Sequence, residues 1–581
     1  MSRRRKLRTL LICFVASVAL TIGIAKWVCS QQLAEDFAPK IVLNQVGYRA
    51  NWDKVAFLLN AEDNAPIKTK VVDHQSGKTV ATIQPGSAEL DEQSRDRIQT
   101  LDFSKVKRSG EYYLQTGELK SVPFQIGQDI YQDTFTKLLR TYYLQRCGTV
   151  IFDPITGIYH PPCHIKDALL AHDDAFHKAG DTVQSQGGWH DAGDYGKYVA
   201  TTTVTIGSLF SLYEQYPQNF TDGQLDIPES GNKVPDLLDE MKVGLDWLLS
   251  TQRQDGGVYR KLSGKAWPIG KAPHEDQQPR YLYGVSTPET GKFAAVMAMA
   301  GRIYEESQPK LAQTYLDSAR LAWDYLQTQD KMQESWIDGD DSGSGKYLQS
   351  EIDIEDSLKT DIDDRYWAAA ELFLTTGDSQ YEQYLVDHFD QMPFNLYEWK
   401  DASTLGMVDY LLYAKADPNQ LKPQIREKLL ARADQIMERV EGSGYRLANH
   451  RFIWGSNKMT VEEGITLIHA YRLTQDAKYK AAALDQLHYM MGRNHFDQTF
   501  VTDVGTHPVE NVNHLFARAK KIKIPGLVVG GPNDGAQDNI APKGLGIRSY
   551  LDSEKSYATN EYAIDYNAPL ITLLGMLLET S

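Results

Sequence analysis

Two aspartates in a glycine-rich stretch are the first residues whose spacing suggests chemistry. The stretch GGWHDAGDYGKYV, residues 187–199, holds Asp191 and Asp194 three positions apart. Glycines at this density let the backbone turn tightly and come close to a ligand. Two carboxylates that converge on one point raise each other's proton affinity, so one of them is readily poised as a base. A solvated Asp-Gly turn or a calcium loop is the alternative, and the flat apolar faces of Trp189 and Tyr198 weigh against it.

A third carboxyl group stands near the C-terminus, in NEYAIDYNAPL, residues 560–570. The pattern predicts that Asn560 and Glu561 open the last helix at its cleft end, with Asp565 one turn further on. A carboxyl held among tyrosines such as Tyr562 keeps its proton near neutral pH through desolvation. The alternative, which position alone leaves equally open, is a Glu that only complements the dipole of the helix N-terminus.

Together, these groups fit the two-carboxylate logic of glycoside hydrolysis. A protonated Glu561 would give its proton to the leaving oxygen of a glycosidic bond. A carboxylate of the early pair would activate a water molecule on the opposite face of the sugar. The sequence therefore predicts one groove, faced by Glu561 from one side and by Asp191 and Asp194 from the other.

The elements that must position these groups are helices. After Gly127, helical apolar spacing dominates, and loops rich in Gly, Asp, Asn and Pro separate the helices. Because no repeat of fixed length appears, the pattern predicts one large α/α toroid whose loops gather at one end and build a cleft. The predicted amphipathic stretches are 131–144, 201–216, 234–249, 292–306, 310–327, 364–376, 379–389, 427–440, 461–474, 477–491 and 562–578.

A strand-like sequence pattern precedes the helical region. From about Ile41 to Ile126, short strand-like runs such as Lys54 to Leu59 are separated by turn residues such as Pro85-Gly86. Several short strands at this spacing predict a small β-sandwich. It offers no catalytic cluster, so we expect a structural or docking module.

Residues 1–30 predict export. A positive group, Arg3 to Arg8, precedes the uncharged and mostly apolar run from Thr9 to Ala25. This pattern is typical of a signal peptide, with an uncleaved N-terminal anchor or a lipid anchor at Cys29 as alternatives. In each case the folded body is secreted or periplasmic, and it meets a membrane only through this segment.

Composition limits the partners. The chain has 581 residues, with 61 Lys and Arg against 77 Asp and Glu, and a net charge of −16. This surplus argues against nucleic acid as a partner, because phosphate binding needs a basic surface. We expect a polysaccharide or oligosaccharide as the substrate and a monomeric protein.

Both carboxyl motifs resemble the catalytic motifs of glycoside hydrolase family 9. The similarity extends over most of the chain from Lys40 onward. Residues 41–48, IVLNQVGY, look like the start of the immunoglobulin-like domain that precedes the catalytic domain in one subgroup. Further segments similar to the family are VPDLLDE at 234–240, YWAAAEL at 366–372, FIWGSN at 452–457 and PGLVVGGPN at 525–533.

The resemblance implies an immunoglobulin-like β-sandwich over residues 38–127 and an all-α (α/α)6 barrel over residues 128–581. It also implies an inverting mechanism, in which Asp194 is the base, Asp191 helps to hold the water and Glu561 is the general acid. Inversion requires the two opposing carboxyl groups to lie roughly 6.5–9.5 Å apart. Most relatives cut β-1,4-glucan internally, as endoglucanases.

One segment departs from the family pattern. After Thr502 the family usually has a Gly-rich turn and then Pro-His-His-Arg, which contacts sugar beside the scissile bond. This chain reads DVGTHPVENVNHLFARAKK, residues 503–521. We expect His514 to stand for one His, whereas Leu515 occupies the simplest position for the Arg and Arg518 lies too far along without rearrangement. Loss of such a contact shifts specificity by orders of magnitude.

The four cysteines raise the question of a metal. Cys13 and Cys29 lie in the leader, which leaves Cys147 and Cys163 in the body, with His164 adjacent and His190 beside Asp191. Two Cys and two His form a competent zinc set, although a disulfide is the alternative in an exported protein. Family members with the immunoglobulin-like domain resemble this pattern with a bound zinc, which implies a structural zinc here. Calcium is also common in the family, but acidic loops such as 338–341 are equally plain turns, so its ligands are not assigned.

Aromatic residues in segments similar to the family's cleft are candidates for sugar contacts. Trp267, Trp454, Tyr283 and Tyr566 fit stacking on a pyranose, and ordinary core packing is the alternative for each of them. His514 fits a bond to a sugar hydroxyl, and a structural His with satisfied hydrogen bonds is its alternative. The leading function is thus an inverting endo-β-1,4-glucanase. The alternatives are an exo-acting β-glycosidase on short β-1,4 oligosaccharides, including cello- and glucosamine oligomers, and an inactive carbohydrate-binding surface protein.

Overall fold

The computed structural model describes residues 37–61, 68–335, 337, 340 and 359–579. A β-sandwich comes first along the chain, and a barrel of helices follows. The predicted leader in residues 1–30, with Cys13 and Cys29, lies outside the described residues. In the part of the chain that is described, no helix is both long and apolar enough to cross a membrane.

The sandwich is built from two sheets of short strands. Its strands are β1 (Lys40–Val42), β2 (Gly47–Tyr48), β3 (Val55–Leu59), β4 (Thr69–Asp73), β5 (Thr79–Ile83), β6 (Glu89–Leu90), β7 (Arg97–Asp102), β8 (Gly110–Thr116), β9 (Leu119–Lys120) and β10 (Phe124–Ile126). One sheet has the order β1-β3-β7-β6, and the other has the order β2-β10-β8-β4-β5, with β9 on β8. Alternate side chains such as Tyr112 and Leu114 of β8 point into the core between the sheets.

The sandwich is fastened to the barrel by buried polar groups. The Asn44 side-chain amide donates to the Tyr131 hydroxyl at 2.6 Å. Asp96, with no exposed surface, accepts from the Tyr445 hydroxyl at 2.5 Å and pairs with His495 at 2.6 Å. Burial alone would raise the pKa of Asp96, but the hydrogen bonds from His495 and Tyr445 outweigh it and hold the pKa below its usual range. The sandwich therefore serves as a fixed structural support.

Twelve helices of ten residues or more form the barrel within the described ranges. They are α1 (Gln132–Leu144), α2 (Val199–Gln215), α3 (Asp236–Leu249), α4 (Thr287–Ile303), α5 (Pro309–Gln327), α6 (Ile362–Thr376), α7 (Ser379–His388), α8 (Ser403–Tyr413), α9 (Leu421–Gly442), α10 (Ser456–Thr474), α11 (Ala477–Met490) and α14 (Ile564–Glu579). The short helices α12 (Leu515–Lys520) and α13 (Tyr557–Asn560) lie between the last two.

Helices alternate between an inner and an outer ring, as expected for an (α/α)6 barrel. The inner helices α2, α4, α6, α8, α10 and α14 are buried over most of their circumference, and α14 packs on α2 to close the ring. Outer helices bury one stripe: on α9 this stripe includes Leu421, Ile425, Leu429 and Ile436. The predicted fold class is confirmed. Inner helix α8 was absent from the predicted stretches, because uniform burial removes the amphipathic period.

A small sheet lies among the loops at the cleft end of the barrel. Its strands are β13 (Leu169–Leu170), β14 (Lys197–Tyr198), β15 (Val258–Gly264) and β16 (Arg280–Ser286), in the order β13-β16-β15-β14. A separate hairpin joins β11 (Ile151–Phe152) and β12 (Tyr159–His160). Strand β14 leads directly into α2, so it anchors the end of the glycine-rich loop.

Candidate active site

The loop with the two aspartates is bonded to the segment that carries Glu561. The carbonyl of Asp191 accepts from the amide of Ile564 at 2.8 Å, and Ala192 forms a β-bridge with Ala563. At Gly193, a Cβ atom would lie 2.2 Å from the carbonyl oxygen of Asn513 and 3.1 Å from Glu561 Oε1. Only glycine fits at this position, and its absence of a side chain lets the two segments approach each other.

Glu561 lies in extended backbone between α13 and α14, and not in the last helix as its sequence position suggested. Its carbonyl accepts from the Gly530 amide at 3.0 Å, and its backbone pairs with Asn513. Helix α14 begins three residues later, at Ile564. The segment therefore holds Glu561 by ladder-like bonds on both sides, and the alternative of a Glu in the first turn of the last helix does not apply.

All three predicted carboxyl groups line one cleft of about 690 Å³. Asp191 is 6% exposed, whereas Asp194 and Glu561 keep more surface open to the cleft. None of the described sandwich residues lines it. The wall consists of Asp191, Ala192, Gly193, Asp194, Tyr198, Ala200, Thr201, Arg260, Lys261, Trp267, Ile269, Glu289, Trp399, Lys400, Trp454, Lys458, Asn513, Leu515, Arg518, Lys555, Tyr557, Glu561, Ala563, Asp565 and Tyr566.

The proton affinity of Glu561 is strongly raised. Its surroundings remove most of the water that would solvate a charge, and the nearby charges of Asp194 and Asp191 add to the effect, so its pKa lies well above the usual range. The amide of Gly193 opposes this shift only in part. A carboxyl group in this setting retains its proton at a pH where an ordinary glutamate is ionised.

Asp194 is better supplied with hydrogen bonds. One oxygen accepts from the Gly196 amide at 3.1 Å, and the other accepts from the Tyr198 hydroxyl at 2.9 Å. Desolvation is the largest effect and leaves the pKa of Asp194 raised, although these two donors lower the pKa in part. Asp191 accepts from the Thr201 hydroxyl, while desolvation and the Asp565 charge raise its pKa well above normal. The hydrogen bonds from Gly196 and Tyr198 therefore favour the ionised form of Asp194, whereas Glu561 in the same cleft retains its proton.

A buried lysine stands behind this pair. Lys458 Nζ lies 3.0 Å from Asp565 Oδ2 and 3.2 Å from Glu398 Oε2. Its positive charge lowers the pKa of the neighbouring Asp191. Sequence reasoning missed Lys458 and Glu398, because a single Lys or Glu in a helical stretch resembles any solvated residue.

On the other side of the glycine-rich loop, two Cys and two His converge. Cys147 Sγ lies 3.9 Å from Cys163 Sγ and 3.5 Å from His164 Nδ1. His190 Nε2 lies 3.7 Å from Cys163 Sγ and 3.3 Å from His164 Nδ1. All four residues are buried, and their ligand atoms lie within 4.8 Å of one another.

These separations match the edges of a tetrahedron around a zinc ion. Zn–S bonds of about 2.3 Å and Zn–N bonds of about 2.0–2.1 Å imply S–S, S–N and N–N edges of about 3.8, 3.5 and 3.3 Å. A disulfide would need its two sulfurs about 2.05 Å apart, whereas Cys147 and Cys163 are free thiols 3.9 Å apart. Asp276 Oδ2 lies 3.5 Å from the outer nitrogen of His164, a contact that orients an imidazole ligand.

The candidate calcium loop is only partly visible. Of residues 338–341, Asp340 is among the described residues, and its carboxylate accepts from His172 at 2.7 Å and lies 3.5 Å from Arg260. His172 and Arg260 both approach Asp340 Oδ2, an oxygen that a calcium ion would need as a ligand. The other members of the loop lie outside the described residues.

Comparison with known proteins decides the family. The model of Glycosyl hydrolase family 9 matches residues 131–574, and the Cellulase N-terminal ig-like domain matches residues 36–121. The chain belongs to glycosyl hydrolase family 9. It is therefore a glycoside hydrolase, and the predicted family, fold and enzyme class are confirmed.

Relatives of this family 9 enzyme align along nearly the whole chain. Endoglucanase D of Acetivibrio thermocellus is 32% identical over 553 residues, which cover 93% of this chain and 83% of the relative. A metagenome-derived family 9 endoglucanase has a crystal structure with a TM-score of 0.88 and 39% identity, covering 93% of this chain and 99% of that chain. A Zn-binding triple mutant of endoglucanase J30 has a TM-score of 0.85 and 35% identity, covering 92% and 100%.

Aromatic rings form part of the cleft wall in the family 9 enzyme. The ring of Tyr557 lies 5.8 Å from that of Trp454 and 6.3 Å from that of Trp267. Tyr566 and Trp454 both line the cleft, and their stacking on sugar stays a prediction. Tyr283 is not part of the described wall, since it is only 1% exposed. The Lys261 ammonium lies over the Tyr283 ring, with 4.6 Å between Lys261 Nζ and the ring centre.

The altered segment of the family 9 enzyme forms α12. His514 is buried at its N-terminus, where its ring accepts from the Ala517 amide at 3.4 Å and contacts the Gln145 side chain at 3.0 Å. Desolvation lowers the pKa of His514 to about 3, and the residue is not part of the cleft wall. Leu515 and Arg518 lie three positions apart on one helical face and both line the cleft. The helix thus supplies the rearrangement that Arg518 needs to reach the cleft.

Proposed function

We propose that this family 9 enzyme hydrolyses β-1,4-glycosidic bonds within cellulose or a related β-glucan, with inversion at the anomeric carbon. The observation that carries the proposal is the shared cleft, whose wall holds Glu561, with its raised pKa, together with Asp194 and Asp191. Three of the similar proteins are endoglucanases, and a cellulose 1,4-beta-cellobiosidase of Acetivibrio thermocellus and a cellodextrinase of Butyrivibrio fibrisolvens are also similar to this chain. These names support β-1,4-glucan as the substrate class.

In the proposed reaction, Glu561 donates its proton to the glycosidic oxygen as the bond between that oxygen and the anomeric carbon breaks. Asp194 takes a proton from a water molecule, whose oxygen attacks the anomeric carbon from the opposite face. Gly196 and Tyr198 hold the carboxylate of Asp194, and Asp191 helps to orient the water. Each carboxyl group then returns to its starting state by exchange with solvent.

A zinc ion held by Cys147, Cys163, His164 and His190 is part of the proposal. Four protein ligands leave no open position for water, so the ion would be structural. Since His190 directly precedes Asp191, the same ion would fix the glycine-rich loop. The distances between the ligand atoms support this assignment.

The charges of the cleft wall are mixed. Its cationic residues are Arg260, Lys261, Lys400, Lys458, Arg518 and Lys555, and its acidic residues are Asp191, Asp194, Glu289, Glu561 and Asp565. A wall of nearly balanced charge suits a neutral glucan and offers no acidic surplus to attract a protonated glucosamine oligomer. A protein that only binds sugar would have no use for the opposed carboxyl groups. Export through residues 1–30 remains part of the proposal, as a glucan polymer is met outside the cell.

Product analysis tests the proposal. On carboxymethylcellulose we expect viscosity to fall well ahead of the release of reducing ends, which indicates internal cutting. On cello-oligosaccharides, proton NMR of the first product should show the α-anomer before mutarotation. Steady release of monomer alone would favour the exo-acting alternative, and a β-anomeric first product would contradict inversion.

A further inference from the structure

A pair of exposed aromatic side chains lies outside the cleft. Phe152 of β11 and Tyr159 of β12 are direct cross-strand partners. They are 65% and 59% exposed, whereas their neighbours Ile151 and His160 are buried. The hairpin therefore turns one face to the barrel and presents two adjacent rings to solvent. We call this pair the aromatic platform.

The platform is held on a rigid base. The carbonyl of Phe152 accepts from the Tyr143 hydroxyl at 3.0 Å. Asp153, which is fully buried, pairs with Arg140 of α1 at 2.6 Å. Two strands of two residues would not fix ring positions alone, so these contacts with α1 define the geometry of the platform.

The buried side of the hairpin connects the platform to the cleft wall. The His160 ring packs edge-on against Phe516 of α12, with ring centres 5.3 Å apart. It also stacks on His274 at 6.1 Å. Phe516 is the neighbour of Leu515, which lines the cleft. The hairpin that carries the aromatic platform is therefore linked to the cleft wall through His160, Phe516 and Leu515.

The chemistry of the hairpin surface favours a neutral carbohydrate. Further apolar side chains of the same segment are exposed: Val150, Ile155 and Ile165 are 46%, 63% and 56% exposed. Across residues 150–165 the acidic and basic side chains are the buried Asp153 and the two histidines His160 and His164. An anionic membrane surface attracts clusters of Lys and Arg, which this segment lacks. A stable dimer needs roughly 20–30 residues a side, far more than this hairpin offers.

We propose that Phe152 and Tyr159 form a second polysaccharide-binding site, which holds a neutral β-glucan chain or surface beside the cleft by stacking on pyranose rings. The inference rests on the proposed function, because it assumes that the substrate is a glucan. Its role is to keep an insoluble polymer close to the catalytic cleft. A soluble oligosaccharide short enough to fill only the cleft does not need it.

Binding and hydrolysis of insoluble cellulose test the platform. The full-length protein and the double variant Phe152→Ala/Tyr159→Ala are compared by depletion from suspensions of microcrystalline cellulose. We expect about tenfold weaker binding and a matching loss of activity on that polymer, with kcat/KM on cellopentaose unchanged. The matched control, Val80→Ala/Leu90→Ala, removes two exposed apolar side chains from the sandwich and should leave binding unchanged.

A variant that keeps both rings shows whether weaker binding comes from loss of the aromatic faces or from misfolding. Phe152→Tyr/Tyr159→Phe keeps both aromatic faces and should bind cellulose like the wild type. Unchanged cellulose binding by the alanine variant would overturn the inference. So would a platform-dependent dimer in sedimentation, or platform-dependent binding to phosphatidylglycerol vesicles without cellulose binding. If the wild type instead cleaves no cello-oligosaccharide, the proposed function fails, and the binding comparison is still read on its own.

Discussion

The glycine-rich loop separates two sites of opposite electrostatic character. His190 points to a closed cluster in which two thiols and two imidazoles present complementary ligands at tetrahedral spacing. One residue later, Asp191 joins Asp194 and Glu561 in an open cleft where like groups are brought together without ordinary solvation. The cluster can gain free energy from an ion, whereas the carboxyl groups raise one another's pKa and oppose folding when ionised.

The cleft depends on backbone contacts to keep its carboxyl groups together. Carboxyl groups that repel one another move apart unless the backbone holds them. Here the Ile564 amide bonds the Glu561 segment to the Asp191 carbonyl, and the amides of Gly530 and Asn513 hold the Glu561 segment from its other sides. With the proposed zinc bound, the Cys and His cluster would fix the other side of the same loop. We infer that the metal-bound cluster would hold the strained cleft in place.

The largest effect is expected from removal of the proton donor. Glu561→Gln should lower kcat on cello-oligosaccharides by about 10²–10⁴-fold, because general acid catalysis contributes on this scale. The variant should retain much more activity on an aryl cellobioside with an acidic phenol, whose departure needs little protonation. Asp194→Asn should lose activity on both substrates, since water attack is needed in each case.

The two variants control for each other when folding is checked by circular dichroism. Equal losses on both substrates for Glu561→Gln would reject its assignment as the acid. Recovery of Asp194→Asn on the activated substrate would reject its assignment as the base.

A smaller effect is expected on the metal side of the loop. Cys163→Ser should lose zinc, measured by elemental analysis of protein purified without chelator, and should lower kcat/KM by about 10–100-fold through misplacement of the loop. Thr182→Ser, a conservative change near the same loop region, serves as the control. A protein without zinc and without free thiols would contradict the metal assignment, and a metal-free variant of full activity would break the link between the two sites.

Sequence patterns predicted the parts of this architecture that repeat. Outer helices such as α9 show the apolar stripe that a half-buried helix requires, and the strands of the sandwich alternate as expected. The inner helix α8 was missed, because eight of its residues are buried around the helix and leave no period. Candidate carboxyl groups were found because their motifs combine unusual residue types at short spacing.

Residues placed by tertiary contacts were harder to predict. Tyr283 pairs across β15 and β16 with Lys261, and it is Lys261 that reaches the cleft wall. Which of two paired strand residues reaches a cleft depends on how the sheet is oriented against the barrel. The sequence of the strands does not determine that orientation. Arg518 required the short helix α12, whose six residues give little helical signal.

The smallest predicted effect concerns stability on the cleft side. The pKa of Glu561 is raised in the folded state, so unfolding at a pH above the ordinary glutamate value, about 4.3, releases a carboxyl group that ionises more easily. The wild type should therefore lose stability relative to Glu561→Gln as pH rises from about 4.3 through the raised pKa, by about 1.4 kcal/mol per unit of the shift. Below that window the two proteins should unfold at equal urea concentrations. Glu118→Gln, at an exposed sandwich position, should show no such gain, and an equal pH profile for Glu561→Gln would mean that the cleft does not strain the fold.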